Sequence, residues 1–187
     1  MDQISTFQRA VDQTGLIVAG VKPDQLGLPT PCSDWDVRAL LNHTIGAVLM
    51  FDTAARGGKI DMDRFQQDLV GEDPAAAYDR SAAQLHEAVG GKQGVLEQMW
   101  EMPFGTVPGA MAISIATVEA LQHGWDVARA TGQNAEFEPE LTEAGMAIAK
   151  MMPAEQVRQP GVFGAEVPCP EDAPPQDRLA AFLGRQL

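Results

Sequence analysis

The chain has 187 residues, with 13 basic and 26 acidic side chains and a formal net charge of −13. Its length fits one domain with a sizeable core, and 45% hydrophobic against 21% charged residues excludes a disordered chain. The acidity leaves no basic surplus for nucleic-acid phosphates or an anionic membrane surface, and no apolar run approaches the ~18 residues that span a bilayer.

The first residues lack the basic and apolar regions of a signal peptide. Two cysteines, Cys32 and Cys169, cannot build a disulfide framework. The expectation is a cytoplasmic protein.

In chain order, apolar residues at Phe7, Ala10, Val11, Leu16 and Val18 predict an amphipathic helix over Ile4–Val18, interrupted by Gly15. A Gly/Pro connector follows. Ser33-Asp34-Trp35-Asp36 then reads as a helix start, with Ser33 as cap and Asp36 as its acidic partner three residues on. That helix runs through Leu40, His43, Ile45, Val48 and Phe51 to Gly57-Gly58. Asp73-Pro74 opens a third helix, closed by Gly90-Gly91. Val95–Val107 alternates loosely and carries Pro103, which predicts a loop or a short extended excursion. Ala110–Thr131 is the most strongly helical stretch, ended by Gly132. A further helix is expected over Leu141–Met152, then extended loop from Gln156 to Pro175 and a terminal amphipathic turn over Asp177–Leu183. With so little β signal, the pattern predicts an all-α helix bundle. It reads as one domain, with a core over residues 1–152 and a loop-rich C-terminal extension over 153–187 ending in a short helix.

The informative positions are ionisable residues on apolar helix faces. At ~100° per residue, Glu119, His123 and Asp126 fall within ~60° of one another, on a stripe shared with Ala112, Ile115 and Ala116. On the helix from Ser33, His43 shares its stripe with Asp36, Ala39, Leu40, Ala47 and Met50. Burying a carboxylate costs several kcal/mol unless a partner compensates. Two imidazoles and one carboxylate point to a divalent cation as that partner, with Glu119 and His123 one turn apart on one face. The small residues Ala39, Ala47, Ala112 and Ala116 would leave a hollow beside it. A site of three protein ligands keeps a coordination position open, which is the catalytic pattern.

Other readings stay open on pattern alone. A core histidine is often satisfied by a backbone carbonyl, and Glu119 and His123 can pair with each other. Asp126 fits either an outer carboxylate orienting an imidazole or a surface residue near a helix end. Asp36 is a further candidate for the outer sphere. His86, in a polar helix context, reads as solvated, and Cys32, just before a helix, reads as an inert small residue.

At these residues the sequence resembles a known family. Thr30-Pro31-Cys32-Ser33-Asp34-Trp35-Asp36-Val37-Arg38-Ala39-Leu40-Leu41-Asn42-His43 is similar to the first signature of the DinB-like superfamily, in the branch of mycothiol-dependent maleylpyruvate isomerase N-terminal domains. Glu119-Ala120-Leu121-Gln122-His123-Gly124-Trp125-Asp126 resembles the second signature. Phe104–Gly109 matches its usual lead-in, and the ending Leu183-Gly184-Arg185 resembles this branch as well.

The resemblance implies a DinB-like four-helix bundle in which His43, Glu119 and His123 hold a divalent metal, zinc in preference to nickel or iron. It also implies a low-molecular-weight thiol such as mycothiol, activated as thiolate at the metal. The expected activity is a thiol S-transferase or isomerase, with an electrophilic substrate as the second small-molecule partner. No nucleic-acid or membrane partner is expected, and a homodimer is compatible with the pattern. The isomerase itself carries a further α/β domain, whereas about 55 residues follow Gly132 here; what carries over is the metal site, not maleylpyruvate isomerisation. A non-catalytic binding module of the same fold is the alternative, and an Fe(II) oxygenase a third, since two histidines and a carboxylate also suit that metal.

Overall fold

Residues 2–153, 158 and 163–187 of a computed structural model are described. Among the described residues, six α-helices and one hairpin, besides two short 3-10 turns at Pro23–Gln25 and Met62–Gln66, make up the regular structure: α1 Gln3–Ala19, α2 Val37–Ala55, α3 Pro74–Gly90, β1 Met99–Met102, β2 Gly105–Pro108, α4 Gly109–Thr131, α5 Pro139–Met151 and α6 Pro175–Phe182. The first four long helices form a bundle in which α4 lies between α1 and α2, and α3 closes the ring between them. Chain neighbours α1 and α2 are therefore diagonal, as are α3 and α4. Diagonal crossings need long connectors, and these are the Gly/Pro segment 20–36 and segment 91–108, which holds the hairpin. Among the described residues, no helix is long and apolar enough to cross a membrane.

Local chemistry fixes the helix ends. Asp2, Asp36 and Asp73 cap α1, α2 and α3, each accepting a backbone N–H from three residues on. The second of these corrects the sequence expectation: α2 starts at Val37, and Asp36 is its cap rather than the partner of a Ser33 cap. α4 ends at Gly132, whose left-handed φ of +69° lets its N–H turn back onto the Ala128 carbonyl. Gly15 does not break α1, which runs without interruption.

α4 is buried almost all round, on both its polar and its apolar positions, as expected of a helix with neighbours on every side. Phe7, Leu40, Leu41, Ile45, Tyr78, Leu85, Ile113, Leu121 and Trp125 form the fully buried centre of one continuous core. Thr14 on α1 donates to the Ala120 carbonyl of α4 at 2.8 Å. Close approach there depends on Gly124, where an added Cβ would lie 2.7 Å from Thr14 Oγ1 and 2.8 Å from Phe137 Cζ. Gly124→Ala is expected to destabilise the fold by about 1–3 kcal/mol through overpacking. Thermal unfolding checks this; an unchanged midpoint would mean the α1–α4 seam is looser than described.

The C-terminal extension returns to the bundle. α6 packs on α5 and α4, and Asp177 accepts a 2.7 Å hydrogen bond from Trp125 Nε1. Beyond it Gly184 takes φ +90°, a conformation only glycine adopts readily, packs on Gly164 and turns Arg185 inward.

Candidate metal centre

α2 and α4 face each other directly, and three side chains meet across their seam. His43 Nε2 and His123 Nε2 each stand 3.4 Å from the same oxygen, Glu119 Oε2. All three donor atoms lie within 4.8 Å of one another. The i, i+4 spacing of Glu119 and His123 gives two of them from one face of α4, and the register of α2 brings His43 to the same depth. His123 is the innermost, with 7% of its side chain exposed, while His43 at 34% and Glu119 at 25% border solvent. The cluster thus has a closed side and an open side.

The spacing fits a cation better than direct hydrogen bonds. Charge-assisted N–H···O bonds draw their atoms to about 2.8 Å. Donors ~2.1 Å from a common tetrahedral ion are separated by about 3.4 Å. Charge balance points the same way: with neutral imidazoles the centre carries Glu119 and Asp126 against the single positive charge of Arg185. A divalent cation would offset that surplus. Histidine nitrogen and carboxylate oxygen are both suitable zinc donors.

Around His123 the outer groups are well defined. Its Nδ1 lies 3.1 Å from Asp126 Oδ2; the carboxylate can only accept, so Nδ1 carries a proton and Nε2 is the nitrogen that faces Glu119, with a free lone pair whenever the ring is neutral. Asp126 has no exposure and is gripped from several sides. Arg185 binds both its oxygens, Nε to Oδ1 at 2.9 Å and Nη2 to Oδ2 at 3.0 Å, and Gln122 donates to Oδ1 at 3.1 Å. Cys32 completes the shell, its thiol 3.2 Å from Asp126 Oδ2 and 3.1 Å from Arg185 Nη2.

Electrostatics follow from this packing. Burial alone pushes the Glu119 carboxyl up, but His123 and His43 outweigh it and hold it well below the usual carboxylate range. Burial likewise raises Asp126, and His123 with Arg185 more than reverses that. For His123, burial disfavours the charged ring, yet Asp126, Cys32 and Glu119 bring its pKa well above the ordinary value. Without a metal, a proton on His123 sits between two carboxylates; a cation at Glu119 would take over that role.

A family model for the mycothiol maleylpyruvate isomerase N-terminal domain matches residues 7–128. The chain belongs to that family. Two uncharacterized proteins of Mycobacterium tuberculosis, one from each of two strains, are 38% identical over 194 positions, covering 100% of both chains. The crystal structure of the mycothiol-dependent maleylpyruvate isomerase shares the fold with a TM-score of 0.62 and 14% identity, covering 84% of this chain and 69% of that one. A histidine-to-alanine mutant of the same enzyme gives 0.61 and 15%, covering 88% and 72%.

In this family member, then, the structure brings together His43, Glu119, His123 and Asp126. It does not bring Asp36 to them: that carboxylate is exposed and bonds the Ala39 N–H at 2.8 Å as the α2 cap. Of the four alanines, Ala47 and Ala116 line a cavity of about 20 Å³ beside Glu119 and His123, room for about one water. Ala112 is packed in the core and Ala39 lies near the α2 start; neither lines that cavity. His86 is not solvated as its neighbours suggested. It lies edge-on to Phe7 between α1 and α3, with Nδ1 3.7 Å from Asp12 and Nε2 buried.

Sequence reasoning placed Arg185 and Gln122 in stretches that resemble the family but gave neither a role at the site, and it missed the contacts of Cys32. Gln122 sits one position from His123 and four from Asp126, so an i, i+4 search for partners of Asp126 would have found it. Arg185 lies 59 residues away in a loop, and no periodicity marks it.

Proposed function

We propose that this protein is a zinc-dependent enzyme of low-molecular-weight thiol chemistry, an S-transferase or an isomerase, working in the cytoplasm. The observation that carries the proposal is the open-sided meeting of His43, Glu119 and His123 in a chain of this family. The likeness in fold to a mycothiol-dependent maleylpyruvate isomerase, together with the family, supports the choice of thiol. A bound divalent cation would supply a positive charge that favours the thiolate form of a coordinating thiol near neutral pH. The chain's own residues set up that position. Glu119 and His43 present donors on the open side, where a small molecule can enter. Asp126 holds the Nδ1 proton of His123 and so fixes which nitrogen faces the cluster. Arg185 keeps Asp126 ionised and in place, and Phe7, Val48 and Phe51 give the small cavity behind the cluster an apolar wall.

Elemental analysis of the purified protein beside His43→Ala tests the ligand set. About one zinc per chain is expected in the wild type and a loss of at least ~100-fold in affinity in the variant, since even outer partners cost 10–100-fold. Calorimetry of zinc-loaded protein with mycothiol or a similar thiol then tests the chemistry. Absence of binding would overturn the thiol assignment.

One observation favours a second reading. Asp126 is the carboxylate best placed to move a proton, yet Arg185, Gln122, His123 and Cys32 engage it fully. Among the described residues no other acid or base touches the cluster, which suits a metal- or ligand-binding module without turnover. Metal-dependent consumption of an electrophile together with a thiol would reject that reading.

A further inference from the structure

We propose that Trp35 is the positioning residue of His43, doing by stacking what Asp126 does for His123 by hydrogen bonding. The inference rests on the metal reading above and deepens it.

The two imidazoles are oriented by different means. A ligating histidine almost always gives its second ring nitrogen to a carboxylate, a carbonyl or a water, which sets the ring plane and the tautomer. His123 has Asp126. Among the described residues His43 has no hydrogen-bonding partner beyond Glu119, at Nε2, so its Nδ1 has none, and its ring meets that of His123 only edge-on, with centroids 4.9 Å apart. What holds its plane is the Trp35 indole, with centroids 4.6 Å apart and planes inclined by 32°. The same indole lies 6.1 Å from the His123 ring, so it covers both imidazoles from the side of the α1–α2 connector.

The platform is itself fixed. Trp35 N donates to the Cys32 carbonyl at 2.8 Å, and its own carbonyl accepts from Thr30 Oγ1 at 2.8 Å. Thr30 Oγ1 also contacts the Cys32 carbonyl and N–H, and Pro29 pairs with Asp36 in an antiparallel bridge. Asp36 then caps α2, so the turn carrying the indole and the helix carrying His43 are locked in one piece.

Stacking would also favour the loaded state. An imidazole that donates its lone pair to a divalent cation becomes electron-poor, and the face of an indole is the most electron-rich surface a side chain offers. Metal and stack thus support each other, and linkage makes the effect reciprocal.

Zinc affinity of the full chain, measured by competition with a chromophoric chelator, tests this in wild type, Trp35→Phe and Trp35→Leu. Leucine keeps apolar bulk over His43 but removes the π face; phenylalanine keeps a π face. The leucine variant is expected to bind about 10- to 100-fold more weakly, with metal-free melting unchanged, and phenylalanine to recover most of the loss. The absorption spectrum of the cobalt-loaded forms should shift with the leucine change and much less with phenylalanine. Zinc binding as tight in Trp35→Leu as in wild type would overturn the proposal, as would a phenylalanine variant no better than leucine.

If the leucine variant fails to fold, the wild type alone decides. Trp100 and Trp125 are each 1% exposed, so acrylamide quenching reports chiefly on half-buried Trp35. Quenching must fall when zinc is added; an unchanged response would overturn the proposal. A wild type that takes up no zinc at all sinks the metal reading itself, which this experiment separates from the role of Trp35.

Discussion

Glu119→Gln should empty the metal centre while leaving the bundle folded. Glu119 is the one anionic donor of the cluster, and both imidazoles converge on its Oε2 at 3.4 Å. Glutamine keeps the shape but offers a neutral amide oxygen, so zinc affinity should fall by more than about 100-fold, beyond the loss of an outer partner. In the metal-free protein two opposing effects leave together: the cost of burying a carboxylate, and its attraction to His123 and His43. Because that attraction outweighs the burial cost, metal-free melting should fall modestly while the bundle stays folded. Free zinc at 1,000 times its dissociation constant stabilises a folded protein by about 4 kcal/mol, so wild type should gain several degrees with zinc and the variant almost none. Thermal melts with and without zinc, and metal analysis after gel filtration, measure both effects. Stoichiometric zinc retained by the variant would remove Glu119 from the ligand set.

Arg185→Ala should be among the most damaging single changes outside the ligands. Asp126 has no exposure and Arg185 only 10%, and the two are joined by parallel bonds to both carboxylate oxygens. Removing one partner of a buried pair strands the other charge, at a cost of about 3–5 kcal/mol, which lowers the melting midpoint by about 10 °C in a chain this size. Lysine presents a point charge in place of a planar fork and should rescue only part of the loss. Combining Arg185→Ala with Asp126→Asn should cost less than the sum of the two, because no buried charge is then left unpaired. A midpoint within 1 °C of wild type for Arg185→Ala would show that the pair does not stabilise the fold.

The sequence reads clearly where a signal is local and periodic. Helices α1 to α5 repeat apolar residues at helical spacing and carry Asp, Pro or Gly at their ends, so their existence and order are legible within a few residues. Val95–Val107 reads as a loop or a short extended excursion, but its pairing into a hairpin is not legible, because two four-residue strands are too short to show a period of two. The α2 start was misplaced by a similar limit. Ser33 and Asp36 have the spacing of a capping box, but Thr30 and the Pro29–Asp36 bridge hold residues 30–36 in a turn, and only then does the helix begin. At the site, His43, Glu119 and His123 stand out as polar residues on apolar stripes. Arg185 reaches Asp126 through the return of the C-terminal segment, and His86 is covered by Phe7 from another helix. Both contacts are tertiary facts that no local periodicity shows, even though the Leu183-Gly184-Arg185 ending itself resembles the family.

The enclosure of α4 on every side has a bearing on how this fold could diversify. A helix packed against α1, α2, α5, α6 and the hairpin tolerates few exchanges without disturbing several contacts at once. New substrate preferences would therefore have to be written elsewhere, in the exposed positions of the turn that bears Cys32 and Trp35 and in the residues after Arg185. The turn borders the donor cluster through Trp35, and the tail adjoins it through Arg185, which is anchored to both Asp126 and Cys32. One scaffold could thus keep its ion and exchange its clientele by redrafting two short stretches of chain.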